Sequence, residues 1–431
     1  MGMKIFKSLL RFDIFLCAQE YVSERLDLIN IGEDSDFKGL PKKGIFVRIL
    51  SFVLTGIRSS GVNLNISEKK ELHVFLVNNS YEVRALKPLT KYLNQSEIVW
   101  LGISAKEAEI DHNLYHPLSG YFLGLLFIPL LIFKFLISKP NEKKAVPYIF
   151  DNLLYAVGFF IPYSLLLKKH NIKSIYVSNH NSPLSALAIE LGISNELNLT
   201  YIEHTILIDK WPKIKCNNFL LSGELSKNNL KKINDDYIDC KVELIGSPKN
   251  DELEIKKKYK NDKVIGIAIN HADNVDKILS LVTELRLRFP RKALFIRPHP
   301  AMDISKDLIE LLKKNNVSLI EPEKVLLKEF FKIIDIIIVN DSGIYFESGY
   351  VGIFPLKYQL SEIPSEYSVP NNFFRKVFLR TQDLVKEIEN FSKTPEEIRS
   401  EFKKVYINID DENDFNASKA LKQSLKNLRL I

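Results

Sequence analysis

At 431 residues the chain is long enough for two domains of ordinary size, and 46% hydrophobic with 26% charged residues is a globular profile, not a disordered one. A formal net charge of +7 is mild over this length. It suits an anionic substrate or an anionic lipid leaflet, and no basic, aromatic-interleaved patch points to nucleic acid.

Cys17, Cys216 and Cys240 are scattered, without metal-ligand spacing, which gives no support to a zinc site and points to a reducing compartment. The opening MGMKIFKSLLRFDIFLCAQE is interrupted by Arg11 and Asp13 and makes a poor signal peptide. Residues 1 to about 70 carry no readable pattern. The first clear buried strand is His73–Val77, followed by the loop Asn78-Asn79-Ser80-Tyr81 and a helix capped by Asn79 or Ser80. A second strand follows at Ile98–Ile103. Gly120–Phe133 is then uncharged, Lys134 interrupts it, and Phe135–Ile137 is apolar again. This segment, 120–137, is short for a spanning helix and holds Pro129. It reads as a covered core helix or as a segment dipping into a membrane surface, the latter suited by Lys139, Lys143 and Lys144.

A helix is expected from about Asn152 to Lys169, then strands at Ser174–Ser178, Leu199–Glu203, Phe219–Ser222 and Lys241–Ile245. A charged stretch, Asp251–Asp262, separates these from strands at Val264–Ile269, Ala293–Ile296, Val317–Ile320, Ile336–Val339 and Lys376–Arg380, with two closing helices near 396–406 and 417–428. Strands alternating with helices predict α/β architecture: two Rossmann-like doubly wound domains facing across a cleft, one over 1–258 and one over 259–431.

Two stretches of the second half carry chemistry. In KALFIRPHP, Arg297-Pro298-His299-Pro300 falls where a strand should end, because two prolines in three residues forbid a continuing ladder. A guanidinium and an imidazole are thereby fixed at the carboxyl end of a strand, where open α/β sheets bind ligands. In DIIIVNDSGIYFESGYVGIFP an apolar strand leads to Ser342-Gly343 and a helix carrying Glu347. Free N–H groups at that helix start suit a phosphate, and Glu347 suits ribose hydroxyls. Together the two stretches favour a nucleotide site over ordinary strand-end loops.

RPHP at a strand end, followed by NDSGIYFE and a G–x–x–P, resembles the carboxyl-terminal domain of GT-B glycosyltransferases of bacterial surface polysaccharide synthesis, a group covering capsule, O-antigen and teichoic-type enzymes and those with an HP motif. VNNSYEVRALKPL, SNHNSPLSALAIELGI, YIEHTI, FLLSGELSKNNL and VELIGSPKND are similar to the class's amino half, so the likeness spans about Leu72 to Tyr358. It implies a nucleotide-activated donor whose phosphates meet Arg297, His299, Pro300, Ser342 and Gly343, with Glu347 on the ribose. His204 or Glu203 would be the general base, the pair standing as Glu-His-Thr where relatives usually have Gln-His-Gly. Asn79, Ser80 and His180 are acceptor-side candidates at strand ends. The acidic pair plus glycine of HP-motif sialyltransferases is missing, which leaves UDP-, GDP- or CDP-linked donors open.

The implied reaction is metal-independent transfer of a sugar to a hydroxyl of a lipid-linked or polysaccharide acceptor. It needs no cofactor beyond the nucleotide-sugar itself and would take place in the cytoplasm at the inner face of the cytoplasmic membrane. A sugar-nucleotide epimerase of the same fold, or an inactive nucleotide-binding assembly partner, are the alternatives.

Overall fold

A computed structural model describes residues 44–58, 71–78, 80–102, 114–180, 182–209, 211, 213–234, 239–270, 273–300, 302, 304–340, 342–361, 376–406 and 417–431. Two parallel sheets organise them. The first holds β1 (Glu71–Val77), β2 (Ile98–Gly102), β3 (Leu114–Tyr115), β4 (Asn171–Val177), β5 (Asn198–Ile202), β6 (Asn218–Leu221) and β7 (Lys241–Leu244), in the order β3-β2-β1-β4-β5-β6-β7. The second holds β8 (Ile265–Ile269), β9 (Leu294–Pro298), β10 (Ser318–Leu319), β11 (Ile336–Val339), β12 (Phe354–Tyr358) and β13 (Val377–Phe378), in the order β10-β9-β8-β11-β12-β13. Every pairing among the described strands is parallel. The expected α/β fold of two doubly wound sheets is therefore what the chain adopts.

Strand order reverses between β1 and β4 in the first sheet and between β8 and β11 in the second, which opens a crevice at the carboxyl ends of those strands. The central strands are apolar runs buried along their length, because helices cover both faces. β9 runs through Pro298, two residues past the expected end. The His299 N–H donates to the Ile269 carbonyl on the β8 side, whereas the Ile296 carbonyl accepts from Ile320 on the β10 side. Backbone groups alternate, so the missing donor of Pro298 faces the β10 side, and β10 has already ended there.

Among the described residues, six helices precede β5 or lead into it: α1 (Ile45–Arg58), α2 (Ser80–Thr90), α3 (Ser119–Leu126), α4 (Ile128–Ile137), α5 (Pro140–Lys169) and α6 (Pro183–Ser194). Helix α1 lies in the stretch that carried no readable pattern. Helix α5 starts well before the expected Asn152 and kinks at Ile149, whose φ/ψ of −141°/23° follows Pro147. Residues Val146–Lys169 are long and apolar enough to cross a membrane by length and composition alone, yet most of this stretch is buried in the domain. α3 crosses α5 at glycines: a Cβ on Gly158 would stand 2.2 Å from the Gly120 carbonyl oxygen. Only a bare Cα permits that approach.

The last helix, Ala417–Asn427, packs on the first sheet. Leu421 and Leu425 are buried in one cluster with Phe75, Trp100 and Leu220, and Ser424 Oγ donates to Glu243 at 3.0 Å. The expectation had grouped this helix with the second half; the chain instead returns to the first.

Candidate functional site

The crevices of the two sheets face each other, and among the described residues three contacts cross between them. At the first, Tyr81 in the opening turn of α2 places its hydroxyl 2.8 Å from His299 Nε2, with the rings stacked at 5.6 Å and 30°. At the second, Lys249, in the short 3-10 turn Pro248–Asn250 after β7, sends Nζ to Glu347 Oε1 at 2.7 Å and to the His204 carbonyl at 2.8 Å. The third sets the loop after β5 against the loop after β11: a Cβ on Gly343 would lie 4.0 Å from Thr205 Oγ1. Of the strand-end residues singled out in the two halves, His204, His299, Gly343 and Glu347 therefore meet in one cleft.

His204 follows β5 and its Nδ1 lies 2.5 Å from the carbonyl oxygen of Ser178, at the end of β4. A carbonyl only accepts, so Nδ1 carries the proton and Nε2 keeps its lone pair. Burial, joined by the nearby Lys249 ammonium, pushes the imidazole pKa down to about 4 against the opposing pull of the Ser178 carbonyl. At neutral pH His204 is uncharged and in the tautomer that lets Nε2 take a proton.

Glu203, the other candidate base, is committed elsewhere. Its Oε1 accepts from the Leu207 N–H (3.0 Å) and Ser226 Oγ (2.5 Å), and its Oε2 from the Ser222 N–H (2.6 Å) and Ser222 Oγ (2.7 Å). Burial raises its pKa, partly offset by these donors. Four donors spend both oxygens on closing the loop between β5 and the helix Glu224–Ile233. That geometry holds His204 in place and leaves Glu203 a structural carboxylate.

Arg297 is less open than its place at the strand end suggested. It is buried, its Nη1 donates to the Val325 carbonyl at 2.6 Å, and its guanidinium lies over the Phe330 ring at 5.6 Å. One of its five N–H donors is thereby spent. Burial and then the Arg84 guanidinium lower its pKa. Glu347 is also taken. Burial alone would raise its pKa, but the Lys249 ammonium, helped by Arg84, holds it below the usual carboxylate range. A ribose contact would have to share that carboxylate with Lys249. Ser342 Oγ accepts from the Ile344 N–H at 3.3 Å, and the helix it opens, Ile344–Tyr350, is only seven residues long. Pro300 sits exposed in the turn after His299.

Of the acceptor-side candidates, only His180 is described with its side chain. Asn79 lies outside the described residues, as does the side chain of Ser80, which begins α2. His180 is buried edge-on to Tyr201 at 5.8 Å and beside Trp211 at 5.4 Å, a packed aromatic setting away from solvent. The end of β1 is occupied instead by the buried carboxylate of Glu82, which accepts from the Asn78 N–H (2.7 Å) and Asn179 Nδ2 (3.0 Å) and ties the β1 and β4 ends together.

Sequence reasoning missed three cleft residues: Tyr81, Arg84 and Lys249. Tyr81 and Arg84 are three apart on α2 and so share a helix face, and both guanidinium groups, Arg84 and Arg297, act electrostatically on Tyr81. Lys249 sits inside the linker motif GSPKND. The spacing of Tyr81 and Arg84 directly after a switch-point strand was the available signal; for Lys249 there was none, because its partners come from residues 45 and 98 positions away. Arg84, Lys249 and Arg297 gather three fixed positive charges around one cleft, and Glu347 balances one of them.

No protein-family model matches the chain, and no curated protein matches its sequence. Solved structures do match. A putative UDP-N-acetylglucosamine 2-epimerase from Listeria monocytogenes has a TM-score of 0.55 at 13% identity, covering 84% of this chain and 96% of its own. The UDP-GlcNAc 2-epimerase from Neisseria meningitidis bound to UDP-GlcNAc has a TM-score of 0.52 at 17% identity, covering 84% and 100%. The wall teichoic acid polymerase TagF is weaker, with a TM-score of 0.49 at 11% identity over the whole of both chains. The fold is GT-B. At these identities the likeness extends to the fold and no further.

Proposed function

We propose that the protein is a glycosyltransferase that moves a sugar from a nucleotide-activated donor to a hydroxyl of a lipid-linked or polysaccharide acceptor in bacterial surface polysaccharide synthesis. The observation that carries this is the meeting of an uncharged His204, its lone pair on Nε2, with the cationic set Arg84, Lys249, Arg297 and the adjacent His299 in one interdomain cleft. In this reading the donor's phosphates occupy the cationic side. Arg297 and His299 stabilise the charge that grows on the leaving nucleotide, where preorganised donors contribute on the order of 10²-fold or more in rate. His204 Nε2 takes the proton of the acceptor hydroxyl as that oxygen attacks the anomeric carbon. The bond from anomeric carbon to phosphate oxygen breaks, and the nucleotide leaves with the electron pair. The reading uses no metal, and it places the reaction in the cytoplasm.

A second reading has its own support: structures with TM-scores above 0.5 are named as UDP-GlcNAc 2-epimerases, and one is bound to UDP-GlcNAc. An epimerase would act on the nucleotide-sugar alone. Chromatography of a UDP-, GDP- and CDP-sugar panel, with and without a membrane-lipid extract as acceptor source, separates the two. Free nucleotide released only with extract supports transfer. A nucleotide-sugar isomer formed without extract replaces the transferase reading, and an unchanged panel under both conditions overturns both.

A further inference from the structure

Helix α1 is apolar on both faces. Its inner face is anchored: Phe52 packs against Tyr121 at 5.2 Å and Tyr155 at 4.8 Å, and buried Arg48 holds Asp151 at 2.7 Å. Gly56 and Gly124 bring α1 and α3 into close contact, since a Cβ on either would stand under 3 Å from an aromatic carbon, of Tyr121 and Phe52 respectively. Its outer face carries Phe46, Leu50 and Ile57 at helical spacing, 87%, 57% and 74% exposed. The neighbouring helices continue the surface with exposed Phe122 on α3 and Phe133 and Leu136 on α4. Monomeric soluble proteins rarely leave so many large apolar side chains together in water.

The charge around this face is mostly positive. None of α1, α3 and α4 contains an aspartate or glutamate. Arg58, Lys134, Lys139 and Lys143 stand at the helix ends, against a single acid, Glu142, in the same stretch. Lys143 Nζ donates to the Leu136 carbonyl at 3.0 Å and so fixes a cation at the rim. Helices α3 and α4 meet at a 45° bend. At 8 and 10 residues they are about 12 and 15 Å long, so each alone covers roughly half a hydrocarbon core at most, and although the bent pair together is long and apolar enough for a span, two short helices at an angle suit an in-plane arrangement. An apolar floor with a basic rim, built from short in-plane helices, matches the headgroup boundary of an anionic bilayer.

We propose that α1, α3 and α4 together form a docking face for an anionic lipid bilayer. The chain enters α3 four residues after β3 ends, at the same carboxyl edge of the first sheet that lines the cleft. The docked membrane therefore adjoins the acceptor side. Combined with the transferase reading, and resting on it for this point alone, the face selects a lipid-linked acceptor over a free polysaccharide.

Co-sedimentation of the full-length protein with phosphatidylcholine vesicles and with mixed phosphatidylcholine–phosphatidylglycerol vesicles, at low and high salt, tests the face without reference to turnover. Two exposed-site variants accompany it, Phe46→Glu/Leu50→Glu and Phe133→Glu/Leu136→Glu, with thermal unfolding as the fold control and light scattering for oligomeric state. The wild type should pellet with the mixed vesicles, more weakly at high salt. Each variant should lose roughly tenfold or more of that partitioning at an unchanged melting temperature. Wild type left in the supernatant, variants that pellet equally well, or a dimer that the variants dissociate would each overturn the proposal. Failure of the transferase reading would leave the vesicle result unaffected.

Discussion

Replacing Lys249 by methionine removes the cation that joins the two domains while keeping most of its volume. Its ammonium meets Glu347 at 2.7 Å, with the side chains 21% and 11% exposed. Removing one partner of a fully buried pair costs about 3–5 kcal/mol, because the surviving charge is left without compensation. Partial access to water reduces that to roughly 2 kcal/mol here. A domain of this size melts about 2–4 °C lower per kcal/mol, which gives a fall of about 4–8 °C. The pH dependence distinguishes this cause from lost packing. In the wild type the Glu347 pKa is held below its unfolded value, so its contribution is full above about pH 4.3 and fades as pH falls through the folded pKa. In Lys249→Met burial dominates, the folded pKa rises above the unfolded one, and stability declines as pH rises. The gap between the two proteins should be widest near neutrality and narrow toward about pH 4. Differential scanning fluorimetry across that range, with Lys249→Met/Glu347→Gln as the partner-matched control, measures it. A gap independent of pH, or a double variant no more stable than the single, would refute the ion-pair account.

Three further outcomes follow from the cleft. Tyr81→Phe removes the hydroxyl that engages His299 Nε2, which a phosphate would otherwise have to displace; nucleotide affinity by titration calorimetry should tighten about two- to tenfold. Weaker binding would put the phenol on the ligand. His204→Gln should cut transfer by about 10²–10⁴-fold with nucleotide binding retained. With its pKa near 4, His204 stays neutral through the physiological range, so the rate should be flat there and fall only as pH approaches that value. A rate that titrated near pH 6.5 would contradict its burial. Glu203→Gln loses an acceptor oxygen against four donors and should cost about 1–3 kcal/mol in stability while turnover per folded molecule is kept. A selective loss of turnover would restore it as the base.

Much of the architecture was legible because parallel strands covered on both faces are apolar runs with few readings. His73–Val77, Ile336–Val339 and their neighbours fall in the expected places within a residue or two, apart from β4, which starts three residues early, and the two-residue edge strand β3. Helix α1 was not legible. Its sequence, IFVRILSFVLTGIR, lines up Arg48, Ser51, Thr55 and Arg58 at helical spacing, yet Arg48 is buried while Phe46, Leu50 and Ile57 are exposed, so reading apolar as inside names the wrong face. For the site, Arg297 and His299 announced themselves locally, since Pro298 and Pro300 end the strand within a couple of residues wherever the chain goes. The commitments of Glu203 and Glu347 were invisible, because their partners Ser222, Ser226 and Lys249 are set by how loops and domains close. The helix Ala417–Asn427 misled for a related reason: amphipathicity says that a face is buried, never against which sheet.

The central claim is that the cleft holds a nucleotide-activated donor through His299 and its cationic neighbours. Thermal shifts of wild type and His299→Ala with UDP, GDP, CDP, CMP and their sugar conjugates test it most directly, since a ligand at a hundred times its Kd adds about 2.7 kcal/mol to the folded state. The account predicts that one nucleotide class raises the wild-type melting temperature and that the rise is lost in His299→Ala. A panel that leaves the wild type unmoved, or a shift equally large in the variant, would contradict it.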